Sequence, residues 1–138
     1  MSEIIGNLEK RLISTREKIR NKRRELTGGV VEDKIKEIGK MTYEELEKDL
    51  DALAQATKEG RSKAGEASHK LFDEITADIS AAMTKLGEKR MDITGGVGEE
   101  KAKEAVHTIK VKGESALKEI EEDIAKIAEK LKGKSKEE

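Results

Sequence analysis

The sequence predicts an all-α protein built from two tandemly duplicated antiparallel helical hairpins. Three observations support this fold class. Proline is absent, so the strongest helix breaker is missing. Apolar residues recur at alternating steps of three and four, which is the period of an amphipathic helix. A Thr-Gly-Gly-Val motif also occurs twice, 67 residues apart, in similar surroundings, which indicates an internal repeat.

Composition favours long, solvated helices around a thin aliphatic core. Of the 138 residues, 43% are charged and 34% are hydrophobic, yet the net charge is only −1. Tyr43 and Phe72 are the only aromatic residues, so Ile, Leu, Val and Ala must supply the core. Such a core suits a four-helix bundle within one chain. It also suits a coiled-coil-like assembly in which each hairpin pairs with a hairpin of another chain.

The first hairpin is predicted over residues 1–65. Its first helix, near 3–26, carries an a/d seam made of Ile5, Leu8, Leu12, Thr15, Ile19, Lys22 and Leu26. The turn at Thr27, Gly28, Gly29 and Val30 reverses the chain, because glycine adopts the left-handed conformation that ends helices. A second helix is expected near 30–59, interrupted at 39–42, where Thr42 begins a capping-box pattern. We expect residues 58–65 to link the two repeats.

The second hairpin is predicted over residues 66–138. Shifting the first seam by 67 residues gives Phe72, Ile75, Ile79, Ala82, Leu86, Lys89 and Ile93 on a third helix near 66–93. The second turn consists of Thr94, Gly95, Gly96 and Val97. A fourth helix is expected near 97–132, broken near 108–113, where the sequence alternates and is β-branched. The second and fourth helices are thus predicted to be kinked at similar repeat positions, and the charged tail 132–138 is predicted to be disordered.

Several functional classes are disfavoured by what the sequence lacks. Without cysteine there are no disulfides, thiolate zinc sites or iron–sulfur clusters. The apolar runs are too short to span a membrane, and no signal-peptide pattern precedes the first helix, so a cytoplasmic location is expected. Scarce amides with abundant Glu and Lys are typical of thermophilic proteins. No catalytic constellation or cofactor motif is present, so we expect neither an enzyme nor a cofactor.

Two Glu-x-x-His pairs, Glu66–His69 and Glu104–His107, resemble in spacing the metal ligands of di-iron helical bundles. However, His69 lies about 25 residues before the second turn and His107 about 10 after it. At about 1.5 Å per helical residue, their levels in a hairpin would differ by roughly 20 Å. We therefore predict no metal site.

The basic face of the first helix is the one candidate for nucleic-acid contact. Its members are Arg16, Arg20, Lys22, Arg23 and Arg24. Residues 1–26 carry a net charge of about +4 and residues 30–59 about −4, so antiparallel packing would neutralise much of this face. The aromatic platforms on which single-stranded nucleic acids stack are also missing.

The Thr-Gly-Gly turns admit a capping role or a contact role. A helix N-terminus can cradle an anion, but no Gly-Lys-Ser/Thr sequence follows the glycines. The leading hypothesis is a non-enzymatic structural protein, a scaffold or oligomeric assembly that presents helix faces or hairpin tips to a protein partner or to another copy. The alternative hypothesis is a nucleic-acid-associated protein that binds through the basic first helix.

Overall fold

The computed structural model describes residues 2–28, 32–95 and 106–137, and within them it contains helices and no strand. The all-α fold class is confirmed. The helices are α1 (Ser2–Thr27), α2 (Glu32–Lys63), α3 (Glu66–Glu88), a short α4 (Arg90–Thr94) and α5 (Glu114–Glu137). A π-helical segment, Ile109–Gly113, leads into α5, and residues 106–108 before it are also helical.

The four long helices pack against one another around a single hydrophobic core. Helix α1 contacts α2 and α5, and α3 contacts the same two helices. Phe72 supplies the aromatic ring of the core, and the other apolar core residues are aliphatic. Both predicted seams are buried except at Lys22 and Lys89, which are half-buried. Buried Thr15 satisfies its hydroxyl locally by donating to the carbonyl of Arg11.

Burial also recurs at the 67-residue offset in the two remaining helices. Buried pairs related by this offset are Gly39 and Val106, Thr42 and Ile109, Leu46 and Gly113, Leu50 and Leu117, Leu53 and Ile120, Thr57 and Ile124, and Gly60 and Ile127. Side-chain size changes within several of these pairs, but the buried face does not. The buried positions of α2 therefore recur, 67 residues later, in the helical segment that begins at Val106 and continues into α5.

The interruption predicted at residues 39–42 is wrong, because α2 continues through it. Thr42 is buried and its hydroxyl donates to the carbonyl of Ile38 at 2.7 Å, so it does not cap a new helix. Gly39 lies against the backbone of Ile93, and a Cβ there would collide with the Ile93 carbonyl oxygen. Close helix packing at Gly39 thus outweighs its low helix propensity.

The predicted link between the two halves is also too long. Helix α2 runs to Lys63, and only Ala64 and Gly65 separate it from α3. The single helix predicted over 66–93 is instead divided at Lys89 into α3 and α4. The N–H of Ile93 donates to the carbonyl of Lys89 at 3.0 Å, so α4 begins directly after α3 ends.

The irregularity predicted near 108–113 occurs at that place but is of a different kind. The chain does not leave the helix; it widens into π geometry over Ile109–Gly113. At Gly113 a Cβ would lie 2.7 Å from the carbonyl oxygen of Asp92, so α4 and the π segment meet backbone to backbone. The tail predicted to be disordered is helical to Glu137, since Lys and Glu favour helix.

Candidate functional site

The second turn has the cap geometry that the sequence predicts. Gly95 has φ 79° and ψ 7°, in the left-handed region, and its N–H donates to the carbonyl of Met91 at 2.9 Å. In the first turn, α1 ends at Thr27 and is followed by Gly28. The other residues predicted for the turns lie outside the described part of the chain: Gly29, Val30, Gly96 and Val97.

Three arginines of α1 converge on two glutamates of α5, and we name these five residues the arginine–glutamate cluster. Arg20 Nε lies 3.1 Å from Glu121 Oε1, and Arg16 Nε lies 3.9 Å from the same oxygen. Arg23 bridges the two carboxylates: its Nη2 lies 2.8 Å from Glu114 Oε1 and its Nη1 contacts Glu121 Oε2. The cluster therefore joins α1 to α5 by ion pairs along their contact.

Glu121 is the centre of the cluster because all three arginines contact its carboxylate. It is also only 5% exposed. A buried carboxylate is costly unless it is paired and hydrogen-bonded, and Arg20 and Arg23 both donate to it. Burial lowers the pKa of the Arg23 guanidinium, but hydrogen bonds to Glu114 and Glu121 and their charges outweigh this effect and raise it. The arginines of the cluster thus have an internal role as counter-charges of Glu121.

The residues predicted for nucleic-acid contact are accordingly divided. Arg16, Arg20 and Arg23 belong to the cluster, and Lys22 Nζ lies 3.8 Å from Glu25 Oε2 on its own helix. Arg24 is exposed. The sequence predicts that α2 neutralises the positive charge of α1, but the carboxylates of the cluster belong to α5. Helix α2 contributes Asp49, whose Oδ2 lies 3.0 Å from Lys18 Nζ.

A groove of about 400 Å³ lies between α2 and α3. Its lining consists of Tyr43, Glu47, Lys48, Asp51, Met83 and Leu86. We name it the α2–α3 groove. Leu86 is buried at its floor, whereas the charged residues on its α2 side are exposed. The groove therefore combines an apolar base with an acidic edge.

Tyr43 marks one end of the groove, where Arg90 of α4 lies over its ring. The Arg90 guanidinium carbon is 5.5 Å from the ring centroid, within the range of a cation–π contact. Burial, and after it the charge of Glu47, raises the pKa of the Tyr43 hydroxyl, and the charge of Arg90 partly opposes this rise. The phenol, the carboxylate and the guanidinium are thus electrostatically coupled.

The groove occupies, at the 67-residue offset, the position of the arginine–glutamate cluster. Arg23 and Glu114 correspond to Arg90 and Glu47, so these residue types are retained. The other three positions of the cluster change to smaller or uncharged residues: Arg16 to Met83, Arg20 to Gly87 and Glu121 to Ala54. One interhelical face is therefore filled by ion pairs, and the corresponding face is left open.

The Glu-x-x-His pairs are not brought together as a metal site among the described residues. His69 is half-buried, His107 is exposed and Glu104 lies outside the described ranges. Within those ranges, no three His, Cys, Asp or Glu residues are grouped so as to hold a metal ion. None of the described helices is long and apolar enough to cross a membrane.

Glu114, Glu121 and the α2–α3 groove are functional candidates that the sequence does not predict. A signal for Glu121 is present in the sequence, because at the 67-residue offset it corresponds to Ala54. Positions whose residue types differ at this offset, such as Glu121 and Gly87, carry this signal, whereas positions that agree do not. Comparison of the chain with family models, with curated proteins and with solved structures finds no match.

Proposed function

We propose that this protein is a non-enzymatic interaction protein that holds a protein partner against a helix face. The observation that carries this proposal is the unequal filling of two corresponding faces. The α1–α5 face is closed by the arginine–glutamate cluster, whereas the α2–α3 face leaves a groove of about 400 Å³ with exposed Glu47 and Asp51 at its edge. Binding sites are typically concave and partly apolar with a few polar groups, and this groove has those properties. We infer that a segment of a partner protein covers it.

The proposed scaffold is an antiparallel four-helix bundle formed by two duplicated hairpins. Contacting pairs support antiparallel packing, because residue numbers rise along one helix as they fall along its neighbour. These pairs are Arg16–Glu121 and Arg23–Glu114, Lys85–Asp123 and Asp78–Lys130, Ile4–Gly60 and Lys18–Asp49, and Arg61–Asp73 with Gly39–Ile93. The matching buried registers support the duplication.

The hairpin tips are the second place where a protein could dock. Large apolar side chains are exposed near this end: Met41 by 46%, Met91 by 59% and Val111 by 54%. The cap at Gly95, however, accounts for the glycine of the second turn without a ligand. We therefore place the partner at the α2–α3 groove in preference to the tips.

Nucleic-acid binding is the less favoured function. Phosphate contacts need available cationic side chains, which neutralise the phosphates and so release the counterions condensed on the nucleic acid. In this chain Arg16, Arg20 and Arg23 face the carboxylates of α5, and binding a phosphate would compete with those pairs.

The proposed function is tested by light scattering of the purified protein over a wide concentration range, together with capture by the tagged protein from native extract. We expect either a defined oligomer or a retained protein partner. A protein that stays monomeric at every concentration and retains no partner would contradict the proposal.

A further inference from the structure

The chemistry of the partner is indicated by what fills the corresponding face. Between α1 and α5, arginine side chains cross the interface and end on carboxylates. At the matching level between α2 and α3, the carboxylate of Glu47 is retained, but Arg16 is replaced by Met83 and Arg20 by Gly87. The groove thus keeps the acidic acceptor Glu47 but has lost two of the three guanidinium groups of the cluster. The third, Arg90, lies over the ring of Tyr43.

The α2 edge of the groove is strongly acidic. Residues 44–51 contain five acidic residues and one lysine, a net charge of −4. Asp49 pairs with Lys18, but within the described part of the chain neither Glu47 nor Asp51 forms an ion pair. Both side chains are exposed, so a cation from outside can reach them.

Gly87 follows the groove residue Leu86 on α3. This glycine is exposed, and a Cβ added there would have no neighbouring heavy atom within 4 Å. At the corresponding position of α1, Arg20 reaches Glu121 across the interface. The space along Gly87 is therefore available to a side chain that enters from another molecule.

We propose that the α2–α3 groove binds an arginine side chain supplied by a partner protein, with Glu47 and Asp51 accepting its guanidinium. The aliphatic stem would lie over Met83 and Leu86, since arginine covers apolar surface with its methylene groups. The planar guanidinium matches a carboxylate with two parallel hydrogen bonds, which a lysine ammonium cannot make. This inference rests on the proposed interaction function and adds the class of side chain that is recognised.

Binding can be followed directly because Tyr43 is the only tyrosine and the chain has no tryptophan. The probes are three short capped peptides without aromatic residues, which carry a central arginine, lysine or citrulline. We expect the arginine peptide to change Tyr43 fluorescence in a saturable way and the citrulline peptide to have no effect. The lysine peptide should bind more weakly than the arginine peptide.

Three variants connect this signal to the groove. Glu47→Gln and Asp51→Asn should each weaken binding of the arginine peptide about tenfold, as expected for losing a hydrogen bond to a charged group. Gly87→Arg should block the groove by supplying the missing arginine from α3. Glu129→Gln removes an exposed carboxylate on α5 and is the matched control, with unchanged binding expected. Circular dichroism verifies that each variant remains helical.

The inference is overturned if the arginine peptide causes no saturable change in Tyr43 fluorescence. It is also overturned if the citrulline peptide binds the wild-type protein as tightly as the arginine peptide does, or if the Glu47→Gln variant binds the arginine peptide as tightly as the wild type does. Equal binding of the lysine peptide would overturn recognition of the guanidinium. Capture of a partner by wild type and by Gly87→Arg alike would keep the proposed function and reject the groove as its site. Binding of the peptide without capture of any partner from extract would support the groove and count against the proposed function.

Discussion

Glu121 is the residue on which the charge balance of the α1–α5 interface depends. It is 5% exposed and faces three guanidinium groups. A carboxylate buried in this way is tolerated only while its partners remain, because an unpaired charge in a low-dielectric environment is strongly unfavourable. The converse holds for the arginines, whose mutual repulsion is compensated by this one side chain and by Glu114.

We predict that Glu121→Gln lowers the free energy of unfolding by about 1–2 kcal/mol. This loss is smaller than the about 3–5 kcal/mol expected for breaking a fully buried pair, because Arg16 and Arg20 are partly exposed and therefore screened by solvent. Urea unfolding followed by circular dichroism measures the change. Glu122→Gln, on the exposed side of α5, is the control. Equal losses in the two variants would show that the cluster does not stabilise the fold.

At the second turn, Gly95→Ala is expected to destabilise the protein by about 1 kcal/mol. A φ of 79° places a Cβ in the left-handed region, where it is strained. Gly65→Ala is the comparison, because Gly65 has φ −70° and a Cβ there meets no atom within 4 Å. Thermal unfolding of both variants provides the measurement. A Gly65 variant that is less stable than the Gly95 variant would contradict the cap assignment.

Helices α2 and α4 and the π segment approach one another closely at two glycines. Gly39 of α2 lies against Ile93, and Gly113 lies against Asp92 and Ile93. Two helical backbones can approach this closely only where no Cβ intervenes. The short α4 is consequently held from two sides, by α2 and by the π segment.

Gly39→Ala is predicted to be destabilising although alanine is the better helix former. Propensity alone would stabilise α2 by about 1 kcal/mol. The collision of the new Cβ with the Ile93 carbonyl should cost more, about 1–3 kcal/mol, because the neighbour is backbone and cannot rotate away. Chemical denaturation should therefore show a net loss. Gly87→Ala, where a Cβ meets open space, should show a gain.

The coupling of Tyr43 to its neighbours gives an expectation for pH dependence. Tyrosinate absorbance reports on Tyr43 alone, and its midpoint should lie above the ordinary value of 10.0. Glu47→Gln should lower this midpoint and Arg90→Gln should raise it, since Glu47 opposes and Arg90 favours the phenolate. Because the folded pKa is raised, the associated stability is present below pH 10.0 and is lost as pH rises through the folded value. Two variants shifting in the same direction would contradict the coupling.

Element boundaries illustrate which structural features the sequence can predict. Periodicity at steps of three and four identified the buried faces of α1 and α3, because that pattern is dictated by helix geometry. The breaks were harder, since Gly39 looks like a helix breaker until Ile93 is known to lie against it. The cluster and the groove are not predicted for a similar reason: Glu121 stands out only once the arginines of α1 are known to face it, and Gly87 only once it is compared with Arg20.

The pairing of charges within the protein predicts that it interacts only weakly with nucleic acids. We expect no gel shift with duplex DNA or single-stranded RNA at physiological salt, because Arg16, Arg20 and Arg23 already face carboxylates of α5. Glu121→Gln should release part of that charge and increase any binding seen at low salt. Tight binding by the wild-type protein that weakens steeply with added salt would instead support the nucleic-acid function.

Each long helix contacts two others, from α1 to α2, α3, α5 and back to α1. The chain could therefore begin at a different helix without losing any of these contacts. Arg16 faces Glu121 and Arg23 faces Glu114, so the start of α1 and the end of α5 point to the same end of the molecule. A circular permutant opened at Ala64–Gly65 and closed by a short flexible linker between α5 and α1 would therefore keep every interhelical contact. We expect such a chain to fold, with residues 65–138 now preceding residues 1–64.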